Sequence, residues 1–396
     1  RKRLRCNGRC LMEGNTLEAQ RDRMVRIIHT EVLGETQRTH LSALDDYPGE
    51  SLPDQPTVSA VVPVYNEAAH IGSVAEALLA QDYPSLREIW FVDGNSTDET
   101  FEKLQNLKNC DPRVKLLTNP RRDQASAINL ALSEIDSDVV IRLDAHARYG
   151  PDMIRCSVDA LLETGAGGVG AVARPVPSET LVGQSIVAAH ESRFGVGVAQ
   201  FRRSSAEGWV DTIWNGCYWK HVVDRVGPLR EDLPRAEDND FNARVRELGY
   251  GLYLSPDIDA QYYPRRSLPA LCRQYAANGM GMMQTLLQNR QAVGVRHLIP
   301  LAFVISVLSS LLAAVLWPVT LPLLVLIASA YALAALLFTF LSWRKRRGWY
   351  AVLLPVVFLA VHLSYGFGSL WGLLKAAGRA LEYHPSSRKD SLSEPV

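Results

Sequence analysis

Between Leu298 and Trp343 the chain carries no charged residue. A backbone survives in hydrocarbon only when its amides are bonded internally, and one helical span takes about 20 apolar residues. This run is too long for one span and is broken at Trp317-Pro318-Val319-Thr320-Leu321-Pro322. It therefore predicts two helices, about 298–317 and 322–343, joined by a short turn. Arg344-Lys345-Arg346-Arg347 follows, then a third apolar run from Trp349 to Leu374. That run predicts a further transmembrane helix, 349–374, or a re-entrant one because of Tyr365-Gly366-Phe367-Gly368. The basic cluster belongs on the cytoplasmic side. Two spans return the chain to the side it left, so the long segment before residue 298 is expected in the cytoplasm. The whole reads as a multi-pass protein.

Composition divides the rest. Residues 1–56 read as an N-terminal tail and linker: Leu17 to Leu33 could hold a helix, and Tyr47 to Pro56 is rich in Pro, Asp, Glu and Ser. From 57 to 265 strands and helices alternate. Strands are expected at Val58–Val64, Glu88–Val92, Val114–Leu117 and Val139–Leu143, with helices at Ala68–Ala80 and Gln124–Leu132. Such alternation implies an α/β fold with a mostly parallel sheet covered on both faces. Residues 266–297 predict amphipathic helices at the bilayer interface, with Leu268, Leu271, Tyr275, Gly279 and Met282 near helical spacing. Residues 375–396 form a polar C-terminal tail. The formal net charge is zero, so no global field points to nucleic acid. Six scattered cysteines without a C-x-x-C pair make a structural zinc site unexpected.

The chemistry is concentrated where strands end. Val139–Leu143 runs into Asp144-Ala145-His146. On an extended chain residues i and i+2 point the same way, so Asp144 and His146 are expected to project together from the strand's C-terminal edge. Open α/β sheets place their ligand crevice there. A carboxylate and an imidazole suit Mn²⁺ or Mg²⁺, with waters and substrate phosphates completing the shell. A turn-capping Asp beside an unrelated His is the other reading of the tripeptide. The second strand ends in Asp93-Gly94-Asn95-Ser96-Thr97-Asp98, and the first in Pro63-Val64-Tyr65-Asn66-Glu67. Glu67 alone reads as a first-turn helix acid. The run Gly165 to Gly170 lacks the Lys-Ser/Thr ending of a phosphate loop and reads as a turn before a strand at Val169–Ala173. Arg235-Ala236-Glu237-Asp238-Asn239-Asp240 precedes a helix to about Leu248, where an acid could be an N-cap. Trp209, Trp214 and Trp219 could stack on sugar faces or pack in the core.

In this order and spacing, Val61-Val62-Pro63-Val64-Tyr65-Asn66-Glu67, Val92-Asp93-Gly94-Asn95-Ser96-Thr97-Asp98 and Asp144-Ala145-His146, with Glu237-Asp238 beyond them, resemble the family-2 glycosyltransferases of the GT-A fold. The match covers about Thr57 to Gly281. Within that family the chain is similar to the succinoglycan-biosynthesis glucosyltransferase branch, which likewise has Asp-x-His and a membrane-embedded C-terminus. The resemblance implies a GT-A nucleotide-sugar-binding domain with a mostly parallel mixed sheet, followed by transmembrane helices. It assigns the UDP-sugar donor to Pro63, Tyr65, Glu67, Asp93, Asn129 and Asp144, and a divalent cation to Asp144 and His146. It assigns the acceptor to Trp214 and Glu237, and the catalytic base of an inverting transfer to Asp238. Arg121 and Arg122 fall in the segment that lines the donor sugar. Gly94 stands where the family often has a second carboxylate.

The function so implied is transfer of glucose from UDP-glucose to a lipid-linked (polyprenyl) saccharide in exopolysaccharide or cell-envelope glycan synthesis, at the plasma (inner) membrane. A processive polysaccharide synthase is the alternative. Such synthases carry Gln-x-x-Arg-Trp before their membrane helices, whereas here Gln274 is followed by Tyr275, Ala276, Ala277 and Asn278. A membrane scaffold that keeps only the binding fold is disfavoured by Asp93, Asp144, His146 and Asp238 occurring together.

Overall fold

The computed structural model describes residues 40–49, 51–196, 206–233 and 235–382. The helix expected within 17–33 and residues 383–396 of the polar tail lie outside them. In chain order the elements are β1 (Val58–Val64), α1 (Ile71–Leu79), β2 (Leu86–Asp93), α2 (Thr100–Cys110), β3 (Val114–Thr118), α3 (Gln124–Leu132) and β4 (Val139–Arg142). Then come β5 (Ala147–Tyr149), α4 (Met153–Thr164), β6 (Gly168–Ala171), β7 (Arg174–Pro175), α5 (Leu181–Glu191), β8 (Gly208–Val210), β9 (Trp214–Trp219) and α6 (Lys220–Val226). Apart from a single helical turn at Arg193–Val196 and short 3₁₀ turns, the remainder is α7 (Glu237–Glu247), β10 (Leu252–Ser255), β11 (Ala260–Tyr262), α8 (Leu268–Gln288), α9 (Ile299–Leu316), α10 (Leu321–Lys345) and α11 (Leu354–Glu382). Two compact units result. One holds the described parts of Arg1–Arg174, Gln200–Leu229 and Phe241–Tyr262, the other those of Pro175–Ala199, Arg230–Asp240 and Tyr263–Val396.

The first unit is built on an eight-stranded sheet in the order β3-β2-β1-β4-β9-β6-β10-β8. β1 pairs in parallel with β2 and β4, and β2 with β3. β9 enters antiparallel to both β4 and β6, β10 runs parallel to β6, and β8 closes the edge antiparallel to β10. The sheet is thus mixed and mostly parallel, as expected. β1 is buried at Val58, Ala60, Val61, Val62 and Val64, as a central parallel strand must be. Proline is tolerated in it because β4 pairs only as far as Val61 opposite Arg142. Beyond the bond from the Leu143 amide to the Val61 carbonyl (2.9 Å), β4 leaves the sheet, so the missing N–H of Pro63 costs no ladder bond. The strand ends splay apart from that point.

The segment before β1 is anchored to this unit. The Leu41 and Ala43 amides donate to the Gly249 and Gly165 carbonyls (2.9 Å each), and the Tyr47 hydroxyl donates to Asp138 (2.5 Å). Within the glycine run, Gly170 lies opposite a bulge in β9. Val169 faces Cys217 but Ala171 faces Trp214, so Asn215 and Gly216 together oppose one residue. A β-carbon on Gly170 would stand 2.5 Å from that of Ile213 and 3.0 Å from the Trp214 carbonyl.

Among the described residues the second unit contains three helices long and apolar enough to cross a membrane: Val295–Leu316, Pro318–Lys345 and Leu354–Ala377. The break between the first two is a 3₁₀ turn at Pro318–Thr320, with proline where a helix start lacks an amide acceptor anyway. α11 is one continuous helix, and the Trp349–Val352 part of the apolar run before it forms a separate 3₁₀ turn. Large apolar side chains on α9 and α10 face outward, Val315 71 % and Leu333 69 % exposed, which suits lipid and not water. α8 packs along α11, burying Leu271 and Tyr275 with Leu354, Phe358 and Val361. The two backbones touch. A β-carbon on Gly368 would lie 2.0 Å from the Ala276 carbonyl oxygen, and one on Gly279 2.2 Å from that of Tyr365.

Candidate active site

Asp144 is the most elaborately held side chain at the splayed edge. Its Oδ2 accepts from the Trp214 indole N–H (2.9 Å), and its Oδ1 from Arg142 (3.4 Å). The Tyr149 hydroxyl accepts from the Asp144 amide (2.7 Å) and donates to the Asp144 carbonyl (2.8 Å), closing the turn that feeds β5. Burial, and then the nearby Asp144 charge, push the Tyr149 phenol well above its usual pKa, so this hydroxyl stays protonated. The bulge in β9 is what presents Trp214 at this place, and Asn215 beside it is buried with a left-handed φ of 50°.

His146 is placed differently from the extended-strand expectation. β4 ends at Arg142, and Ala145-His146 form a turn, so the two-residue alternation no longer governs where His146 points. Its Nδ1 meets Glu67 Oε1 at 3.0 Å, which joins the turn after β4 to the loop after β1. Glu67 is no simple helix acid: its amide donates to Thr100 Oγ1 (2.9 Å) while its carboxylate faces the imidazole.

The loops after β1 and β2 are stapled together. Asn66 donates from its amide to Ser96 Oγ (2.9 Å) and accepts from the Thr97 amide (2.8 Å). Asp98 accepts from the Ala68 (3.2 Å) and Thr100 (3.1 Å) amides, and the Thr100 side-chain hydrogen bond foremost, with these backbone bonds behind it, holds its carboxyl below the usual range. Sequence reasoning passed over Asn66 and Thr100 as partners. The signal was the pairing of short polar side chains at two neighbouring strand tips. Asp93 is buried at the tip of β2; its Oδ2 accepts from the Ser96 amide (3.0 Å), and its buried Oδ1 has no hydrogen-bond partner among the described residues. Tyr65 is 43 % exposed, with the Arg122 guanidinium 5.7 Å over its ring. Arg121 lies 3.5 Å from Asp123.

Asn129 is engaged elsewhere: its Nδ2 donates to the Leu229 carbonyl (2.9 Å) and its Oδ1 accepts from the Leu229 amide (2.8 Å). Trp219 is fully buried in the core, and Trp209 is 45 % exposed against His40 and Tyr253. α7 opens with Glu237, Asp238 and Asp240, acids that a helix N-terminus favours. Glu237 and Asp240 are buried, and Asp240 Oδ1 accepts from Asn289 (3.2 Å), which leaves Asp238 as the most accessible of the three. Among the described residues, every non-glycine residue with left-handed φ flanks one of these groups: Asn66, Asn95, Arg122, Asn215 and Ala236. Such conformations cost of order 1–3 kcal/mol each and cluster where function holds them.

Among the described residues no three His, Cys, Asp or Glu side chains gather as a closed metal cage. A site of the open kind, in which one or two protein ligands are completed by substrate phosphates and water, needs no such cage.

The family-2 glycosyl transferase model matches residues 59–196. The succinoglycan biosynthesis protein ExoA of Rhizobium meliloti (strain 1021) is 31 % identical over 310 residues, covering 78 % of this chain and 92 % of ExoA. The chain belongs to glycosyl transferase family 2. A second member of this kind, from Methanococcus voltae, is 25 % identical over 327 residues, covering 80 % of this chain and 97 % of its own. It is named a dolichyl N-acetyl-α-D-glucosaminyl phosphate 3-β-D-2,3-diacetamido-2,3-dideoxy-β-D-glucuronosyltransferase. Among solved structures, the mannosyltransferase PcManGT of Pyrobaculum calidifontis superposes with a TM-score of 0.54 at 21 % identity. That match covers 88 % of this chain and 96 % of PcManGT, a likeness of GT-A fold. In this glycosyltransferase the matched range includes the strand tips after β1, β2 and β4 described above.

Proposed function

We propose that this family-2 glycosyltransferase transfers glucose, with inversion, from UDP-glucose to a lipid-linked saccharide at the cytoplasmic face of the plasma membrane, for an exopolysaccharide or cell-envelope glycan. The observation that carries the reading is Asp144. A carboxylate clamped by Trp214 and Arg142 just beyond a parallel strand's C-terminal end is preorganised for a charged ligand, not for packing. Two strands away, Asp93 holds a buried carboxylate oxygen that an imide N–H of uracil would satisfy. Tyr65 offers an exposed ring against the base, and Glu67 a carboxylate against the ribose. Pro63 shapes the wall beneath.

Asp144, with His146, would hold a divalent cation, Mn²⁺ or Mg²⁺, which when bound neutralises charge on the leaving diphosphate. Turning His146 toward that cation draws it from Glu67. Asp238 acts as the base: it takes the proton from the acceptor hydroxyl as that oxygen bonds to the anomeric carbon and the bond to the diphosphate breaks. Glu237 and Trp214 serve the acceptor in this reading. The lipid-linked acceptor is supported by the name of the Methanococcus voltae relative, and the polysaccharide context by that of ExoA. The Arg344–Arg347 cluster at the end of α10 supports a cytoplasmic catalytic unit.

The test is product analysis. Membranes containing the protein are given a panel of UDP-sugars and lipid extract, and glycolipids are read by mass spectrometry. The wild type should add one hexose from UDP-glucose, and Asp144→Ala should add none while remaining folded. Wild-type turnover by Asp144→Ala in EDTA would refute the reading.

A further inference from the structure

The second unit contains a cavity of about 190 Å³ formed by α5, the residues following it and the C-terminal end of α10. Arg193, Lys345 and Arg346 line it together with Glu191, and Phe338 and Leu341 form its apolar side. Three cations thus face one anion. None of the three makes an ion pair among the described residues, whereas the neighbouring Arg344 and Arg347 are occupied over the rings of Phe340 (6.0 Å) and Trp343 (5.4 Å). The walls are fixed. The Tyr350 hydroxyl shares its one proton between the carbonyls of Ser342 (2.9 Å) and Arg346, tying down the last turn of α10, and the Tyr350 carbonyl accepts from Ser185 of α5 (2.8 Å). Phe338 is stacked on Phe194, ring centroids 5.2 Å apart.

The position tells what such a cavity meets. The apolar span that includes α10 ends at Lys345, so the cations sit at the level where hydrocarbon gives way to water. Leu341 lies 46 % exposed at the cavity's apolar side, and Leu337 (55 %) and Leu333 (69 %) continue the same helix face toward the membrane interior. The lining therefore changes from cationic to apolar in the direction in which a phospholipid changes from phosphate to chain.

We propose that this cavity binds the phosphate head of a membrane lipid of net negative charge, with Arg193, Lys345 and Arg346 on the phosphate and the chain along Leu341, Leu337 and Leu333. This rests on α10 crossing the membrane. It does not require the transfer reaction, because binding is measured without any donor, so failure of one reading leaves the other standing.

The experiment uses the full chain in nanodiscs of phosphatidylcholine doped with phosphatidylglycerol, or with a polyprenyl phosphate, and reads co-purified lipid by mass spectrometry after detergent extraction. Inorganic phosphate is added as a competitor in a separate arm. Wild-type protein should retain a phosphate-headed anionic lipid over phosphatidylcholine. Arg193→Gln/Lys345→Gln should weaken that retention about 25-fold, about fivefold for each cation near the surface. Ser342→Phe keeps every charge but fills the cavity, and should lose retention as well. Preference for the polyprenyl phosphate would make the site one for the acceptor's carrier, and preference for phosphatidylglycerol one for bulk anionic lipid. Equal retention of phosphatidylcholine overturns the proposal. So does undiminished retention by a folded Ser342→Phe variant, since a diffuse positive surface would then suffice. Tight binding of inorganic phosphate with no lipid retained overturns the lipid assignment.

Discussion

Replacing Trp214 by Phe keeps an aromatic ring beside Tyr262, whose ring lies 6.1 Å from that of Trp214, and deletes one hydrogen-bond donor. That donor is the indole N–H, 2.9 Å from Asp144 Oδ2. A hydrogen bond to a charged group is worth roughly 1.5–3 kcal/mol. The Asp144 side chain is 20 % exposed, so water can replace part of the bond, and the lower half of that range applies. The carboxylate would be left with Arg142 at 3.4 Å as its side-chain anchor. Partners that orient a metal ligand typically contribute 10- to 100-fold to affinity. The variant should therefore bind Mn²⁺ in the presence of UDP about 10- to 30-fold more weakly by isothermal titration. Its kcat/KM should fall by a similar factor at limiting Mn²⁺ and recover most of the way at saturating Mn²⁺. If Trp214 instead only stacks on the acceptor, Phe would substitute well and cation affinity would not move. A folded Trp214→Phe variant with unchanged Mn²⁺ affinity and a raised acceptor KM would refute the positioning argument.

Three further outcomes follow from the same structure. Asp238→Asn is nearly isosteric but cannot take a proton, so turnover should drop about 10²–10⁴-fold while UDP affinity holds; product NMR should show a β-linked sugar, and unchanged turnover would move the base away from Asp238. Gly368→Ala places a methyl group 2.0 Å from the Ala276 carbonyl oxygen and should destabilise the α8–α11 pair by about 1–3 kcal/mol, read as a lower thermal midpoint in detergent. A reporter fused after Arg347 should report the cytoplasm and one at Thr320 the opposite side; the reverse orientation would contradict the charge argument.

Periodicity and hydrophobicity are local properties, and the features that depend on them were legible in the chain itself. β1 at Val58–Val64 and α3 at Gln124–Leu132 lie where spacing put them, and the apolar run breaks at Pro318–Thr320 as its prolines require. The motifs after β1, β2 and β4 were legible too, because each follows a strand whose burial marks it, whereas Glu237-Asp238 opens a helix. Packing decided the rest. Nothing near Trp214 announces that its indole reaches a carboxylate 70 residues earlier; that contact exists because β9 inserts antiparallel beside β4 and a bulge at Asn215 re-aims the chain. Nor does alternation along an extended strand hold once Tyr149 folds Asp144 back into a turn, which sends His146 to Glu67. Asn129 is bound to the Leu229 backbone, 100 residues on. In sequence Gly366 and Gly368 suggest a re-entrant helix and Gly279 only a helical position, but Gly279 of α8 and Gly368 of α11 are places where the two backbones meet. A residue's own periodicity sets the face it occupies, and only the partner brought against that face by the tertiary fold sets what the side chain does there.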